Sequence, residues 1–165
     1  MSVMQPYVLI NFASPNEERQ WQVINDGVMG GRSRGYFTIV DDEAVFEGTV
    51  SLENSGGFTS VRRSFAPITV EEYSKIVLYI EGDGSRYQFR IKPDARQQYA
   101  YIAYFQTQAG SQVITLPFES FIPSFRGIVL DKPPYTGDKI SEVGILIGNK
   151  KAESFRLKIS KIALQ

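Results

Sequence analysis

The sequence predicts an all-β protein, a two-sheet antiparallel sandwich of the jelly-roll type. Apolar and polar residues alternate with period two in several short runs, of which segment 45–52 is the clearest. Turn residues separate these runs at 82–84, 93–94 and 109–110. Segments with the 3.6-residue period of a helix are few and short. Many short strands divided by turns favour a sandwich over βαβ units.

Further strands follow in chain order from the same alternation. Segment 61–65 continues after the glycine pair at 56–57, and segment 76–80 is apolar on both faces, as in a central strand covered on both sides. In segment 86–91, apolar residues alternate strictly with arginine and glutamine. The phase shifts after Ser160, which predicts a β-bulge there. The remaining predicted strands are 99–105, 112–116, 143–147 and 155–159.

Two short helices are predicted, so that under about a sixth of the chain is helical, well below the usual third. Ser14, Pro15 and Glu17 form an N-cap, a first-turn proline and a capping-box acid for a turn or two ending at Trp21. A second capping box begins at Thr69, and segment 116–127 is rich in proline and phenylalanine, which favours an ordered loop.

The second helix pairs Thr69 with Glu72 and ends near Lys75. Three aromatic residues are expected in the core: Trp21, Phe46 and Phe58. Gly56 and Gly57 would form the turn that brings Phe58 over the sandwich.

Composition excludes several classes of active site. The chain contains no Cys and no His, which removes disulfides, thiolate nucleophiles, the usual zinc sites and imidazole bases. Lys plus Arg and Asp plus Glu both number 18, so no overall charge attracts nucleic acid. Neither a nucleic-acid partner nor a cofactor is expected.

One domain is expected over residues 1–165, because this length buries enough surface for a core. Segment 1–12 has neither the basic and apolar regions of a secretory signal nor the arginine-rich character of a mitochondrial transit peptide. No run approaches the ~18 apolar residues of a membrane span. We therefore expect a cytoplasmic protein that does not span a membrane.

Two glycine-rich motifs are the most distinctive features of the sequence. Residues 25–35 read NDGVMGGRSRG, and residues 51–63 read SLENSGGFTSVRR. The first lacks the spacing of a phosphate-binding loop, and no helix pattern follows it. A structural loop that fixes a sheet edge is therefore favoured over a nucleotide site. A docking loop that presents Met29 and Arg32 is the third interpretation.

Five blocks of sequence, in order after Asn11, resemble the complex I intermediate-associated protein 30 family. Members of that family are assembly factors with a galactose-binding-like jelly-roll fold. Five ordered blocks are more specific than any single glycine-rich string. The structural signature that the resemblance implies is Trp21, Asn25, Asp26, Gly27, Met29, Gly30, Gly31, Ser33, Gly56, Gly57, Phe58, Ser60, Arg62, Asp83 and Gly84.

The resemblance implies a non-catalytic binding module, an assembly factor or chaperone for respiratory complex I (NADH dehydrogenase-like) or a related membrane complex. Its partners would be protein subunits of that complex, and its client could hold it at a membrane. The chain lacks the N-terminal extension of mitochondrial members and resembles a free-standing bacterial one. The alternative is a carbohydrate-binding module that uses the concave face of the jelly roll.

Arginines are the candidate partner-binding residues. Arg62, Arg86 and Arg90 fall on the polar faces of predicted strands and would form a cationic face if those strands are neighbours. Met29 and Arg32 at the tip of the first glycine-rich loop complete the set. A solvated face with acidic partners is the alternative interpretation.

Tyrosines and aspartates offer weaker candidates. Tyr99 and Tyr101 share one strand face and could form a sugar platform that excludes Tyr104, although aromatics in strands are more often core. The aspartates at 26, 83 and 94 sit where turns favour aspartate, so no metal site is predicted. No pair of acids marks a glycosidase, and we expect no enzyme activity.

Overall fold

The computed structural model describes residues 6–26, 31–53 and 57–165. In this part of the chain thirteen strands form. Their bounds are β1 (Tyr7–Asn11), β2 (Trp21–Asn25), β3 (Arg34–Val40), β4 (Glu43–Val50), β5 (Thr59–Thr69), β6 (Lys75–Gly82), β7 (Arg86–Lys92), β8 (Ala100–Gln106), β9 (Gly110–Pro117), β10 (Ile122–Phe125), β11 (Ile128–Val129), β12 (Lys139–Ile147) and β13 (Glu153–Leu164).

The strands form two sheets. A six-stranded sheet has the order β3-β4-β13-β6-β9, with β1 also paired to β13, and a seven-stranded sheet has the order β11-β10-β8-β7-β12-β5-β2. Each pair of these neighbouring strands is antiparallel. Strands make up 61% of the residues that the structure describes, and almost none of these residues are helical. The predicted two-sheet antiparallel sandwich is confirmed.

The long strand β13 organises the six-stranded sheet. Its first half pairs with β4, and its second half pairs with β6 and β1. The register shifts between Ile159 and Lys161, so Ser160 lies in the predicted bulge. The bulge lets one strand change neighbours without leaving the sheet.

Aromatic and branched side chains from both sheets meet in one core. Trp21 stacks on Phe37 with ring centroids 4.9 Å apart, and Phe46 meets Phe155 edge to face at 4.8 Å. Trp21 and Phe46 are buried, as predicted. Edge-to-face and offset contacts of this kind add to the stabilisation from area burial alone.

The third predicted core residue, Phe58, is only half-buried. Its backbone N–H donates to the carboxylate of Asp26 at 3.2 Å, which holds this residue just before β5. The backbone contact, and not the ring, fixes the position of this residue. Gly56, the first half of the predicted turn, lies outside the described residues.

The predicted N-terminal helix is a 3₁₀ turn at Glu17–Gln20, and β2 begins directly after it. Asn16 precedes the turn with a φ of 63°, and no side chain caps it. The Glu17 carboxylate accepts hydrogen bonds from Trp21 Nε1 and Arg63 Nε instead, each at 2.9 Å. The Glu17 carboxylate, which the predicted capping box would use, therefore makes tertiary hydrogen bonds and does not cap the turn.

Residues 69–75 are not helical, contrary to the second capping-box prediction. Strand β5 runs through Thr69 and β6 begins at Lys75, with a turn between them. The N–H of Val70 donates to the carbonyl of Asp138 at 2.9 Å, and the Val70 side chain is fully buried. Sheet pairing and burial override the local capping signal.

The predicted loop at 116–127 contains regular structure. A 3₁₀ turn at Phe118–Ser120 leads into β10, and Pro123 lies inside that strand. A short strand close to a sheet edge tolerates a residue without a backbone donor. Within the described residues, no helix is long and apolar enough to cross a membrane.

Phe46→Ala should lower the free energy of unfolding by about 3–5 kcal/mol, because the ring is fully buried. Phe58→Ala should cost less than half as much, because less apolar area leaves the interior. Denaturant melts measure both values. Tyr36→Ala, at a residue 59% exposed, is the control and should change stability by about 0.5 kcal/mol or less. Equal losses for the two phenylalanines would contradict this assignment.

Candidate functional site

Three of the predicted partner-binding arginines lie on one face of the seven-stranded sheet. Arg62 is on β5, and Arg86 and Arg90 are on β7. Strand β12 lies between these two strands. In β7, Phe89 and Ile91 are fully buried in the core, so the alternating arginines point to the outer side. We call the outer surface that Arg62, Arg86 and Arg90 form across β5, β12 and β7 the arginine face.

The register of the sheet brings Arg62 and Arg90 into one cross-strand row. Gly144 on β12 pairs with Arg62 on one side and with Arg90 on the other. Two inter-strand spacings of about 4.8 Å separate the two arginine backbones by roughly 10 Å. Because paired residues share a face, both guanidinium groups stand beside a position that has no side chain.

A chain of hydrogen bonds orders the neighbouring row. Arg90 Nη1 donates to Gln88 Oε1 at 2.9 Å, and Gln88 Nε2 donates to the Tyr104 hydroxyl at 3.0 Å. The Arg86 guanidinium lies 4.3 Å from the centroid of the Tyr104 ring, and its Nε donates to Asn149 Oδ1 at 3.2 Å. These contacts restrict the side chains before any ligand arrives, which lowers the entropy cost of binding.

Positive charge exceeds negative charge on the arginine face. The carboxylate of Glu142 accepts a hydrogen bond from Ser64 Oγ at 2.8 Å and lies 3.9 Å from Lys92 Nζ. That carboxylate is therefore already matched by a cation. Among the residues that the structure describes, no carboxylate lies within 4.0 Å of the guanidinium of Arg62 or Arg90.

Arg90 carries its charge in a half-buried setting. Burial lowers the pKa of its guanidinium; the charge of Glu142 opposes this effect, and the charge of Arg62 adds to it. A guanidinium remains protonated at neutral pH all the same. The arginine face thus holds uncompensated positive charge where screening by water is reduced, which strengthens attraction to an anion.

The first glycine-rich motif is tied to the second by the buried carboxylate of Asp26. Its Oδ1 accepts the N–H of Ser33 at 3.0 Å, and its Oδ2 accepts the Ser33 hydroxyl at 2.6 Å. Oδ2 also accepts the N–H groups of Gly57 and Phe58 at 2.6 and 3.2 Å. Burial works to raise the pKa of Asp26, but these hydrogen bonds outweigh it and the pKa is lowered.

Two neighbours complete this anchor. The Gly31 N–H donates to the Asp26 backbone carbonyl at 3.0 Å, and a Cβ on Gly31 would lie 2.3 Å from the carboxyl carbon. Asn25 Oδ1 accepts hydrogen bonds from the Gly35 N–H and the Thr59 hydroxyl. Asn25 and Asp26 of the first motif are therefore joined to Gly57, Phe58 and Thr59 of the second through hydrogen bonds.

Arg32 and Ser60, two further residues of the predicted sets, have partners of their own. Arg32 and Glu53 form an ion pair of 3.5 Å in which both side chains are about two-thirds exposed (67% and 69%). Ser60 Oγ donates to the carbonyl of Ile24, which joins β5 to the edge strand β2. Gly27, Met29, Gly30 and Gly56 lie outside the described residues.

The candidate tyrosine platform divides between different surroundings. Tyr101 is half-buried and packs against Tyr99 at 5.6 Å and against the buried Tyr135 at 5.3 Å. Burial, reinforced by Tyr99, raises the pKa of Tyr101 to about 12. Tyr104, which the platform hypothesis left out, is the tyrosine beside Arg86 on the arginine face.

The candidate aspartates have structural partners. Asp83 Oδ2 accepts the Tyr87 hydroxyl at 3.0 Å and the Arg156 N–H at 2.7 Å. Burial first, and then the charge of Asp83, raises the pKa of Tyr87. Asp94 pairs with Arg96 at 3.3 Å on the surface. In residues 6–26, 31–53 and 57–165, no group of three or more acidic side chains is placed to hold a metal ion.

Sequence reasoning missed Gln88, Gly144 and the Glu142–Lys92 pair. The alternation in β7 did place Gln88 in phase with the arginines. Gly144 carried no such signal, because its importance depends on the register of β12 between β5 and β7. The pairing register of strands that are distant in sequence cannot be inferred from the apolar–polar alternation of a single sequence.

The outer face of the six-stranded sheet has balanced charges by contrast. Lys158 Nζ lies 3.5 Å from Glu81, and Arg156 Nε lies 3.2 Å from Glu47. A shallow groove there is lined by Lys158 and by the two acidic residues Glu43 and Glu81. On the arginine face, by contrast, no described carboxylate lies within 4.0 Å of Arg62 or Arg90.

The glycine-rich anchor and the strands around it correspond to a known family. The sequence model of the Complex I intermediate-associated protein 30 (CIA30) family matches residues 10–159. The chain belongs to this family. The resemblance inferred from the five blocks of sequence is thus confirmed, and this family member has the galactose-binding-like jelly-roll fold.

Solved structures share the fold of this family member at low sequence identity. The family 11 carbohydrate-binding module of the cellulosomal cellulase Lic26A-Cel5E of Clostridium thermocellum is 15% identical with a TM-score of 0.70, covering 99% of this chain and 95% of that one. The same type of module in complex with a β-1,3-1,4-mixed-linked tetrasaccharide is 16% identical with a TM-score of 0.69, covering 99% and 96%.

A third structure carries the fold within a longer chain. The agarase AgWH50C is 11% identical with a TM-score of 0.62, and the match covers 98% of this chain but 24% of the agarase. At these identities the likeness concerns the fold.

Asp26→Asn should lower the free energy of unfolding by about 2–4 kcal/mol at neutral pH, because buried hydrogen bonds to a charged acceptor are lost. The pKa of Asp26 is lower in the folded state than its ordinary value of 3.8. Its contribution is therefore complete above that value and disappears as the pH falls through the folded pKa. Denaturant melts from pH 7 to pH 2 should show the two proteins converging.

Asp131→Asn is the matched control, because Asp131 is exposed. It should behave like the unmodified protein at each pH. A constant gap between Asp26→Asn and the unmodified protein down to pH 2 would show that the charge of Asp26 does not stabilise the fold.

Proposed function

We propose that this family member is a non-catalytic binding module that holds a partner protein on the arginine face during assembly of respiratory complex I or a related membrane complex. One observation carries the proposal: Arg62 and Arg90 share a cross-strand row and have no carboxylate within ion-pair distance among the described residues. Membership of a family described as complex I intermediate-associated supports a protein partner.

The side chains on this face are those enriched where proteins bind one another. Arginine and tyrosine are common at interaction hot spots. A guanidinium donates a planar fork of hydrogen bonds to carboxylates or main-chain carbonyls, which lysine cannot copy. Arg86 and Arg90 are already oriented by Asn149 and Gln88. Orientation before contact reduces the cost of ordering side chains at an interface.

The same residues give no support to catalysis. The chain has no His and no Cys to act as base or nucleophile. Glu142 is held by Ser64 and Lys92. Glycoside hydrolysis uses two carboxyl groups across a cleft, one of them a proton donor. A single carboxylate matched by a cation suits binding better than proton transfer.

Carbohydrate binding is the second candidate, and one observation favours it. A structural neighbour is a carbohydrate-binding module in complex with a mixed-linked tetrasaccharide. Sugar rings stack on open aromatic faces, however, and the Arg86 guanidinium lies over Tyr104. Tyr101 packs against Tyr135 instead of standing open on the arginine face. These contacts favour a protein partner.

A triple change of Arg62, Arg86 and Arg90 to alanine should reduce capture of the partner at least about fivefold while shifting the melting temperature by only a few degrees, because surface changes alter stability little. The measurement is affinity capture from the native host, with quantitative mass spectrometry of the proteins retained. The matched control replaces Arg156, Lys158 and Lys161 on the opposite sheet. Equal capture by both triple variants would remove the arginine face from the proposal.

Affinity electrophoresis in mixed-linked β-glucan tests the second candidate. We expect no retardation of the unmodified protein. Sub-millimolar binding that the triple arginine variant loses would establish the carbohydrate-binding function in place of the proposed one. If both assays leave the arginine face without a role, the loop at residues 25–35, with Met29 and Arg32, is the next surface to test.

A further inference from the structure

The row across β5, β12 and β7 places one arginine on each side of a glycine. Gly144 pairs with both Arg62 and Arg90, so backbone alone lies between the two side chains. A Cβ at Gly144 would lie 2.8 Å from the carbonyl oxygen of Val61 and 3.4 Å from Arg62 Cβ. The close approach of β5 to β12 thus requires glycine at this position, where the residue is itself buried.

No described carboxylate lies within 4.0 Å of either guanidinium, although the charge of Glu142 does act on Arg90. In the part of the chain that the structure describes, Arg62 has no hydrogen-bond or ion-pair partner, and Arg90 donates through Nη1 to the neutral Gln88. Glu142, two residues along β12, is matched by Lys92. Two like charges a few side-chain lengths apart repel each other, and an anion between them would remove that repulsion.

We propose that Arg62 and Arg90, which flank Gly144, form a carboxylate-binding subsite, which receives an aspartate or glutamate side chain of the partner protein. The proposal rests on the function proposed above and specifies the group that is recognised. A carboxylate fits because each guanidinium can present two parallel N–H donors to its oxygens. The two arginine backbones lie roughly 10 Å apart, a distance across which both long side chains can reach one such group.

The surroundings favour an acidic protein segment over an acidic sugar. Leu146, which is half-buried, lies on the same face of β12 as Gly144. Ile102, which pairs with Arg90 on the other side, is itself buried. Ile122, paired with Ile102, is 37% exposed. Apolar contacts beside a buried charge pair are typical of protein interfaces. The site therefore suits an acidic residue with an apolar neighbour.

Nuclear magnetic resonance of the arginine Nε–Hε groups tests the subsite on the full chain. The probes are capped hexaglutamate and capped hexaglutamine, which differ in charge but not in length. Hexaglutamate should shift the signals of Arg62 and Arg90, with an effect that weakens as salt is added, whereas hexaglutamine should leave them in place. Equal shifts with the two peptides would overturn the proposal.

Variants locate the binding. Arg62→Gln with Arg90→Gln should weaken hexaglutamate binding by about tenfold or more, because charge-assisted hydrogen bonds are lost. Arg156→Gln on the opposite sheet removes a similar exposed charge and should change binding less than about twofold. Gly144→Ala should also weaken binding, because the added methyl group would push against the Val61 carbonyl and displace Arg62 from the row. If that variant does not fold, the double glutamine variant decides the question, and unchanged binding by it overturns the proposal.

Two further outcomes separate this subsite from the proposed function. Binding of trigalacturonate without binding of hexaglutamate would overturn the protein-carboxylate proposal in favour of an acidic sugar. Loss of partner capture in the triple alanine variant, with no hexaglutamate binding, would overturn the subsite but leave the proposed function standing. Hexaglutamate binding at the two arginines, with partner capture intact in the triple variant, would support a carboxylate site but overturn the proposed function of the arginine face.

Discussion

The carboxylate of Asp26 joins parts of the chain that must meet for the sandwich to close. Asp26 follows β2, an edge strand of the seven-stranded sheet, and Ser33 precedes β3, an edge strand of the six-stranded sheet. The same carboxylate accepts N–H groups just before β5, 31 residues further along the chain. One buried anion therefore fixes the crossing between the sheets and the entry into β5. Because Arg62 lies on β5, this anchor also sets the position of the arginine face.

The two outer surfaces of the sandwich differ in how charge is distributed. On the six-stranded sheet, Lys158 and Arg156 each have an acidic neighbour across the strands. On the seven-stranded sheet, the carboxylate of Glu142 is paired with Lys92. Arg62 has no acidic partner among the described residues. The chain as a whole has a formal charge of zero, so this imbalance is local. A local surplus attracts a partner at short range without drawing nucleic acid to the whole surface.

Strand existence and strand phase could be predicted from the sequence, and the register between strands could not. Alternation in segment 86–91 was enough to place Arg86 and Arg90 on one face, because a period of two leaves no other choice. The pairing of Gly144 with both arginines depends on contacts between distant segments. The capping box at Thr69 failed for the same reason: pairing of β5 with β12 outweighs a local helix signal of about a kilocalorie. The prediction that the Phe58 ring is buried in the core was wrong, because this residue is only half-buried. Its contact with Asp26 is made by the backbone N–H and not by the ring.

The position of strand β13 in the chain limits when the six-stranded sheet can be completed during synthesis. It is the last strand in chain order, yet it lies between β4 and β6 and also pairs with β1. Until the ribosome has released it, β4 and β6 each lack a neighbour, and their exposed backbone groups can pair with other chains. The strands of the seven-stranded sheet are all complete before β13 is made. The surface with the two arginines can therefore form on a nascent chain whose second sheet is still open.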